Sequence, residues 1–308
     1  MTPNNFIRSF QIEGMNVRGR IVHLTDVADQ VIAAHGYPAL VSRLVGEALV
    51  LVSLLGASLK FNGTLTVQTR SNGPVRMIVA DFTAPGTIRA CATFDAGLVQ
   101  ALGVAPTFGD VVGTGSIAIT IDPDGDMERY QGVVPLDGEG LAEVAMAYFE
   151  QSEQIPTAIK LSVATLSVRG QSDARGRWRA GGILIQNLAS LGGIPVERVS
   201  DGGDHEDDWP RARSLFSTVE THELVDPQVE AERLLFRLFH EDGVRVFDVV
   251  PLEFSCRCSA ERVSGVLVQY SAEELQDLAE SDGLIKAKCE FCSKAYSFAP
   301  EAIVQARS

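Results

Sequence analysis

The chain has 308 residues, enough for roughly two domains and a sizeable buried core. Its 45% hydrophobic and 21% charged content exclude a wholly disordered chain. With 40 acidic against 26 basic side chains the net charge is −14, which argues against broad phosphate neutralisation on nucleic acid and against an anionic membrane surface.

The N-terminus has no basic stretch leading into an apolar one, so no targeting segment is expected. The most apolar run, residues 48–59, is 12 residues long and too short for about 30 Å of hydrocarbon. A cytoplasmic, reducing location is the expectation. Residues 17–24 read as a strand. Thr25 is placed to cap a short helix through His35, which Gly36 and Pro38 would end. Over residues 37–60, Leu40, Leu44, Val45, Ala48, Leu49, Val52 and Leu55 recur at three and four, marking a buried helix face. Leu51 and Leu54 extend that burial around the helix. Asn62-Gly63 and Asn72-Gly73 punctuate a hairpin of residues 64–69 and 75–81, with Pro74 shortening its second strand. Strands at 87–94 and 115–122 follow, and Pro123-Asp124-Gly125 turns the chain into a partner at 128–134. A helix at 141–150 and a strand pair at 158–169 and 178–187 complete the pattern. Such interleaving predicts an α+β fold, with a mixed sheet-and-helix core domain over residues 1–189.

The composition then changes. Residues 201–208 hold two glycines, five acidic residues and no basic one, the mark of a solvated connector. Asp226-Pro227 is expected to open a helix through His240, with proline at the favoured first position. Its apolar face would be Leu234, Leu235, Leu238 and Phe239. Residues 201–247 carry 12 acidic and 5 basic side chains, a net of −7. Residues 190–247 therefore read as a flexible, acidic and partly helical linker, a weak candidate for a core of its own. Residues 246–254 are extended in pattern, 263–267 fit strand or helix, and Ser271 with Glu274 forms a capping box for a helix over 271–280. Residues 248–308 are read as a small C-terminal domain.

Five cysteines are distributed unevenly. Cys91 stands alone in "IRACATF" and reads as a small core hydrophobe. The others form Cys256-Arg257-Cys258, then 30 residues, then Cys289-Glu290-Phe291-Cys292. In an extended segment residues i and i+2 face one way, so Cys256 and Cys258 can reach one ion. The second pair has the spacing of a zinc knuckle. Four thiolates suit tetrahedral zinc, with an iron–sulfur cluster or a redox dithiol pair as alternatives. A purely structural zinc ribbon is the plain reading of such a site. Two features suggest something more labile: the C-x-C pair is unusually tight, and each pair is close enough to form its own disulfide on oxidation. Arg257, Arg262, Lys286, Lys288 and Lys294 would favour reactive thiolates, or would merely offset the negative charge of the centre. A four-cysteine zinc site contributes roughly 10–16 kcal/mol of apparent folding free energy, and a module of this size is marginal without it. Oxidation that removes the ligands should therefore unfold the module and release its charged neighbour.

Nothing else rises to a site. His23, His35, His205, His222 and His240 show no ligand spacing, and Ser116 lacks a nucleophile-elbow pattern. "GDVVGTG" is not followed by a helix, so it is a poor phosphate loop. Trp178 and Trp209 read as packing residues. A thiol–disulfide oxidoreductase working through Cys289 and Cys292 is the enzymatic alternative, weakened by the second pair at Cys256 and Cys258. A nucleic-acid adaptor lacks a basic patch, since residues 254–308 carry 6 basic and 8 acidic side chains.

The two cysteine pairs in "FSCRCSAERV" and "KCEFCSKAYSF", with "ERYQGVV", "SEQIPT", "AGGILIQ" and "LLFRLFHEDGVRVFD", resemble the heat shock protein 33 family along almost the whole chain. The resemblance implies a redox-regulated, ATP-independent holdase chaperone, not an enzyme. In the reduced, inactive, monomeric state Cys256, Cys258, Cys289 and Cys292 would bind one zinc. Oxidation would form Cys256–Cys258 and Cys289–Cys292 disulfides, release zinc and unfold the linker. The oxidised chain would dimerise and hold unfolding client proteins for refolding chaperone systems. The acidic "DGGDHEDD" run departs from the better-known members and puts the oxidant threshold in doubt.

Overall fold

The computed structural model describes residues 4–58, 62–125, 127–167, 176–187 and 207–305. They fall into two units, Met1–Phe254 and Ser255–Ser308.

The first unit opens with β1 (Phe6–Ile12), β2 (Val17–Leu24), α1 (Asp26–Ala33) and α2 (Ala39–Gly56). Strands β3 (Gly63–Ser71), β4 (Val75–Thr83) and β5 (Thr87–Phe94) follow, then α3 (Ala96–Ala101) and α4 (Phe108–Val112). Next come β6 (Gly115–Pro123), β7 (Tyr130–Pro135), α5 (Leu141–Tyr148), a π-turn over Phe149–Glu153, β8 (Thr157–Leu166) and β9 (Arg177–Asn187). The unit closes with α6 (Asp208–Ser217), a 3₁₀ turn at Thr221–Leu224, α7 (Ala231–Phe239), β10 (Val244–Pro251) and β11 (Glu253–Phe254). One sheet has the order β10-β1-β2-β9-β8 and is antiparallel throughout. The other has the order β11-β5-β4-β3-β6-β7, antiparallel except for the parallel β11–β5 edge. The fold is α+β, as the sequence pattern predicts.

Helix α2 explains the architecture. It packs against β3, β4 and β5 of one sheet and β2, β8 and β9 of the other. With sheets on two sides, 14 of its 18 residues are buried. Its composition and length alone would fit a membrane span, but burial identifies it as the central core helix. The buried helix extends N-terminally beyond the 12-residue run singled out in the sequence, because Val41, Ser42, Leu44, Val45 and Gly46 are also buried in it.

The five-stranded sheet has a second covered face. Phe10, Ile12, Val17, Ile21, Ile183 and Ile185 point away from α2 and pack under Phe216, Leu224, Leu234, Leu235, Leu238 and Phe239. Arg8 of β1 pairs with Glu232 of α7 at 2.7 Å, and Lys160 of β8 donates to the Ser217 carbonyl at 2.7 Å and to the Val219 carbonyl. The consecutive glycines of "AGGILIQ" make room on both faces. A Cβ at Gly181 would run into the Leu224 carbonyl, and one at Gly182 would crowd Val50 of α2.

Several local expectations change. The predicted face of α7 is buried, but the helix begins at Ala231 instead of Pro227. Asp226 Oδ1 accepts from the Gln228 N–H, and the Val229 N–H donates to the Asp226 carbonyl, so Asp-Pro makes a turn ahead of the helix. Thr25 caps nothing with its side chain. Asn5 Oδ1 does so from a distance, accepting from the Thr25 and Val27 N–H groups. Residues 207–254 lie in the first unit, including β10, which pairs with β1. The acidic run from 201 to 206, with His205, lies outside the described residues, as does Lys60.

The second unit contains α8 (Ala260–Leu267), α9 (Ala272–Asp277), β12 (Ile285–Lys288), β13 (Ala295–Phe298) and α10 (Pro300–Gln305). The capping box of Ser271 and Glu274 forms as predicted. The 263–267 segment is helical, capped by Ser259. Its apolar core cluster among the described residues is four side chains, Leu267, Leu275, Ile285 and Ile303, with Val263, Val268, Ala279 and Phe298 packed against it.

Candidate metal centre

The first cysteine pair sits on the extended stretch between β11 and the N-terminus of α8. Arg262 Nη1 donates to the Arg257 carbonyl at 2.7 Å and pins the backbone between Cys256 and Cys258. The second pair occupies the turn of the β12–β13 hairpin. There the Cys289 N–H donates to the Lys294 carbonyl and the Ser293 N–H to the Cys289 carbonyl, both at 2.9 Å. Ser293 takes a positive φ of 59° to close the turn. The hairpin thus folds the C-x-x-C pair back on itself, as a zinc knuckle requires.

All four predicted ligands come together. Their Sγ atoms lie within 4.8 Å of one another, and all four cysteines are free thiols. Cys256 and Cys289 are 3.6 Å apart, Cys258 and Cys292 3.4 Å. Metal–sulfur bonds of about 2.3 Å in a tetrahedron place sulfurs about 3.8 Å apart, so the donor set and its size both fit zinc. The nearest contacts run between the two pairs, which is how one ion would clamp the chain at two distant points.

Electrostatics differ among the four. A hydrogen bond from the Tyr296 hydroxyl, 3.0 Å from Cys258 Sγ, and contacts from the other three thiols bring the Cys258 pKa down to about 7. Burial pushes Cys256 up and Cys292 up to about 12. The same hydrogen bond raises Tyr296. The sequence reading pointed to neighbouring basic residues for this role and missed Tyr296. Two of those bases are engaged elsewhere: Lys286 pairs with Glu280 and Asp282 at 2.8 and 2.9 Å, and Lys294 lies over the Tyr296 ring, 5.2 Å from its centroid. "KAYSF" held the signal, because Tyr296 is on β13, the strand returning from the knuckle. Cys91 is buried in β5, in the first unit.

A family model described as Hsp33 protein matches residues 5–299. This chain belongs to the Hsp33 family. Relatives named 33 kDa chaperonin include that of Caulobacter vibrioides, 43% identical over 302 residues with 96% of this chain and 95% of the relative covered. Those of Aliivibrio salmonicida and Vibrio cholerae are 35% identical over 295 residues, covering 96% of this chain and 92% of each relative. The crystal structure of the 33 kDa chaperonin of Thermotoga maritima, 22% identical, shares the Hsp33 fold with a TM-score of 0.77 over 98% of this chain and 97% of that one. Membership supports a chaperone role, and the cysteine cluster is compatible with zinc binding and redox regulation.

Proposed function

We propose that the chain is a redox-regulated, ATP-independent holdase whose zinc-bound reduced state is inactive. Four thiols at 3.4–3.6 Å closest approach, in a unit with four buried core side chains, carry the reading. Zinc would supply a cross-link between Cys256-x-Cys258 and Cys289-x-x-Cys292 worth more than that core alone. Peroxide or a similar two-electron oxidant takes two electrons from each thiolate pair, and the sulfurs join as Cys256–Cys258 and Cys289–Cys292 disulfides. Disulfide sulfur is a poor ligand, so the unit loses its cross-link.

The client surface follows from the first unit. Residues 207–239 cover an apolar sheet face that includes Phe10, Ile21 and Ile183, and release of that cover would offer both halves of the interface to an unfolding protein. The oxidised form is proposed to be a dimer acting in the cytoplasm, passing clients to refolding chaperones.

The test is an oxidant titration of the full chain at mild heat, with zinc release and light scattering of a thermally unfolding client recorded together. About one zinc per chain should leave as protection appears. Oxidised, zinc-free protein that leaves client aggregation unchanged would overturn the reading.

A further inference from the structure

Strand β2 carries two arginines, Arg18 and Arg20, on the face it turns toward α2. Val22 and Leu24 on the same face belong to the central core. Arg20 is 7% exposed, and among the described residues its one side-chain hydrogen bond runs from Nη1 to the Leu54 carbonyl at 3.4 Å. Arg18 Nε is buried with no partner. Among the described residues no carboxylate forms an ion pair with either. Burial depresses both guanidinium pKa values, and Arg18 adds to the effect at Arg20, bringing it to about 10. Two like charges at i and i+2, one buried and the other half-buried, are costly unless something anionic answers them.

A cavity of about 160 Å³ opens beside them. Gln186 joins the two arginines on its wall, and Leu65, Ile119 and Phe149 make it otherwise largely apolar. Glu153 also lines it, but its Oε1 already accepts from the Tyr130 and Tyr148 hydroxyls at 3.1 and 2.9 Å.

We propose that this cavity binds a short-chain aliphatic carboxylate, its head on Arg18 and Arg20 and its tail against the aliphatic wall. A carboxylate presents two oxygens that match the guanidinium fork. A phosphate would bring further oxygens into a wall with few donors to satisfy them. The site is separate from the cysteine centre and does not depend on the chaperone reading.

Calorimetric titration of the full-length protein tests it, with hexanoate as the probe and hexanol and inorganic phosphate as controls. Hexanoate should bind saturably and raise the melting temperature, and both controls should bind at least tenfold more weakly. Arg18 is the less buried of the pair, so Arg18→Gln is the variant of choice. Losing one charge-assisted hydrogen bond should weaken hexanoate binding about tenfold or more. If that variant does not fold, the Nε–Hε NMR signals of the arginines in the unaltered protein serve instead, and hexanoate should shift them. No saturable binding at millimolar hexanoate, equal binding of either control, unchanged binding in Arg18→Gln, or unmoved arginine signals would each overturn the proposal.

Discussion

Tyr296 holds Cys258 through one hydroxyl, and that contact sets a measurable expectation. Removing an outer hydrogen bond to a metal ligand typically costs tenfold or more in affinity. Tyr296→Phe should keep the ring on β13 and weaken zinc retention by about tenfold, read by competition with a chromophoric chelator. Retention equal to that of the unaltered protein would show that the 3.0 Å contact is incidental. Glu47 on α2 makes a second case. Burial first and Glu143 next push its carboxyl up to about 7, against an ordinary 4.5. Below about pH 4.5 folded and unfolded states both hold the proton, so nothing is lost. Above it the unfolded chain ionises first, and stability falls as pH climbs toward 7, by roughly 3 kcal/mol in all. Glu47→Gln should flatten that stretch of the stability profile and raise the melting temperature at pH 8. A profile with the same slope would mean the carboxyl is better solvated than its burial suggests.

Among the elements, α6 and α7 share one apolar cluster with a face of the five-stranded sheet. Phe239 is fully buried and stacks 6.0 Å from Phe10. Phe239→Ala should cost about 3–5 kcal/mol locally and should appear as faster proteolysis within residues 207–239 while β2 to β9 stay protected. Gly181→Ala should act in the same direction, because its methyl would meet the Leu224 carbonyl. Cleavage no faster in either variant would count against docking on this face.

Much of this was legible beforehand. The stripe of Leu234, Leu235, Leu238 and Phe239 declares a buried face, and the Asn-Gly and Pro-Asp-Gly turns locate the hairpins. The cysteine spacing anticipated that four thiols would meet at one point. β1 escaped notice because Phe6, Ile7, Phe10 and Ile12 do not alternate. Both faces of that strand are covered, so the period-2 signal is lost. α6 was hidden for the opposite reason: only Ala212 and Phe216 of its ten residues are buried, and its polar surface reads as linker. The role of Tyr296 depends on where a hairpin returns, since it lies 38 residues from Cys258, and spacing in the chain does not encode that return.

For the whole molecule the proposed switch couples a centre in residues 255–308 to a cover in residues 207–254. Cys289→Ser or Cys292→Ser should lower zinc content and hasten proteolysis of residues 207–239 without oxidant. Loss of zinc with an unchanged cleavage pattern would sever the two. In that proposed state, the charge of −7 over residues 201–247 would help the released segment stay extended and soluble.

The last stretch of the first unit has a mechanical consequence. β10 lies along the free side of β1, and two residues later β11 lies along the free side of β5. A single length of chain therefore seals one border of each sheet, and it ends next to Cys256. A tug at that end would unzip β11 first, since it holds by two residue pairs, and then peel β10 from Pro251 toward Val244. Both borders would then stand open with unpaired N–H and C=O groups, each a template for an extended strand of another protein.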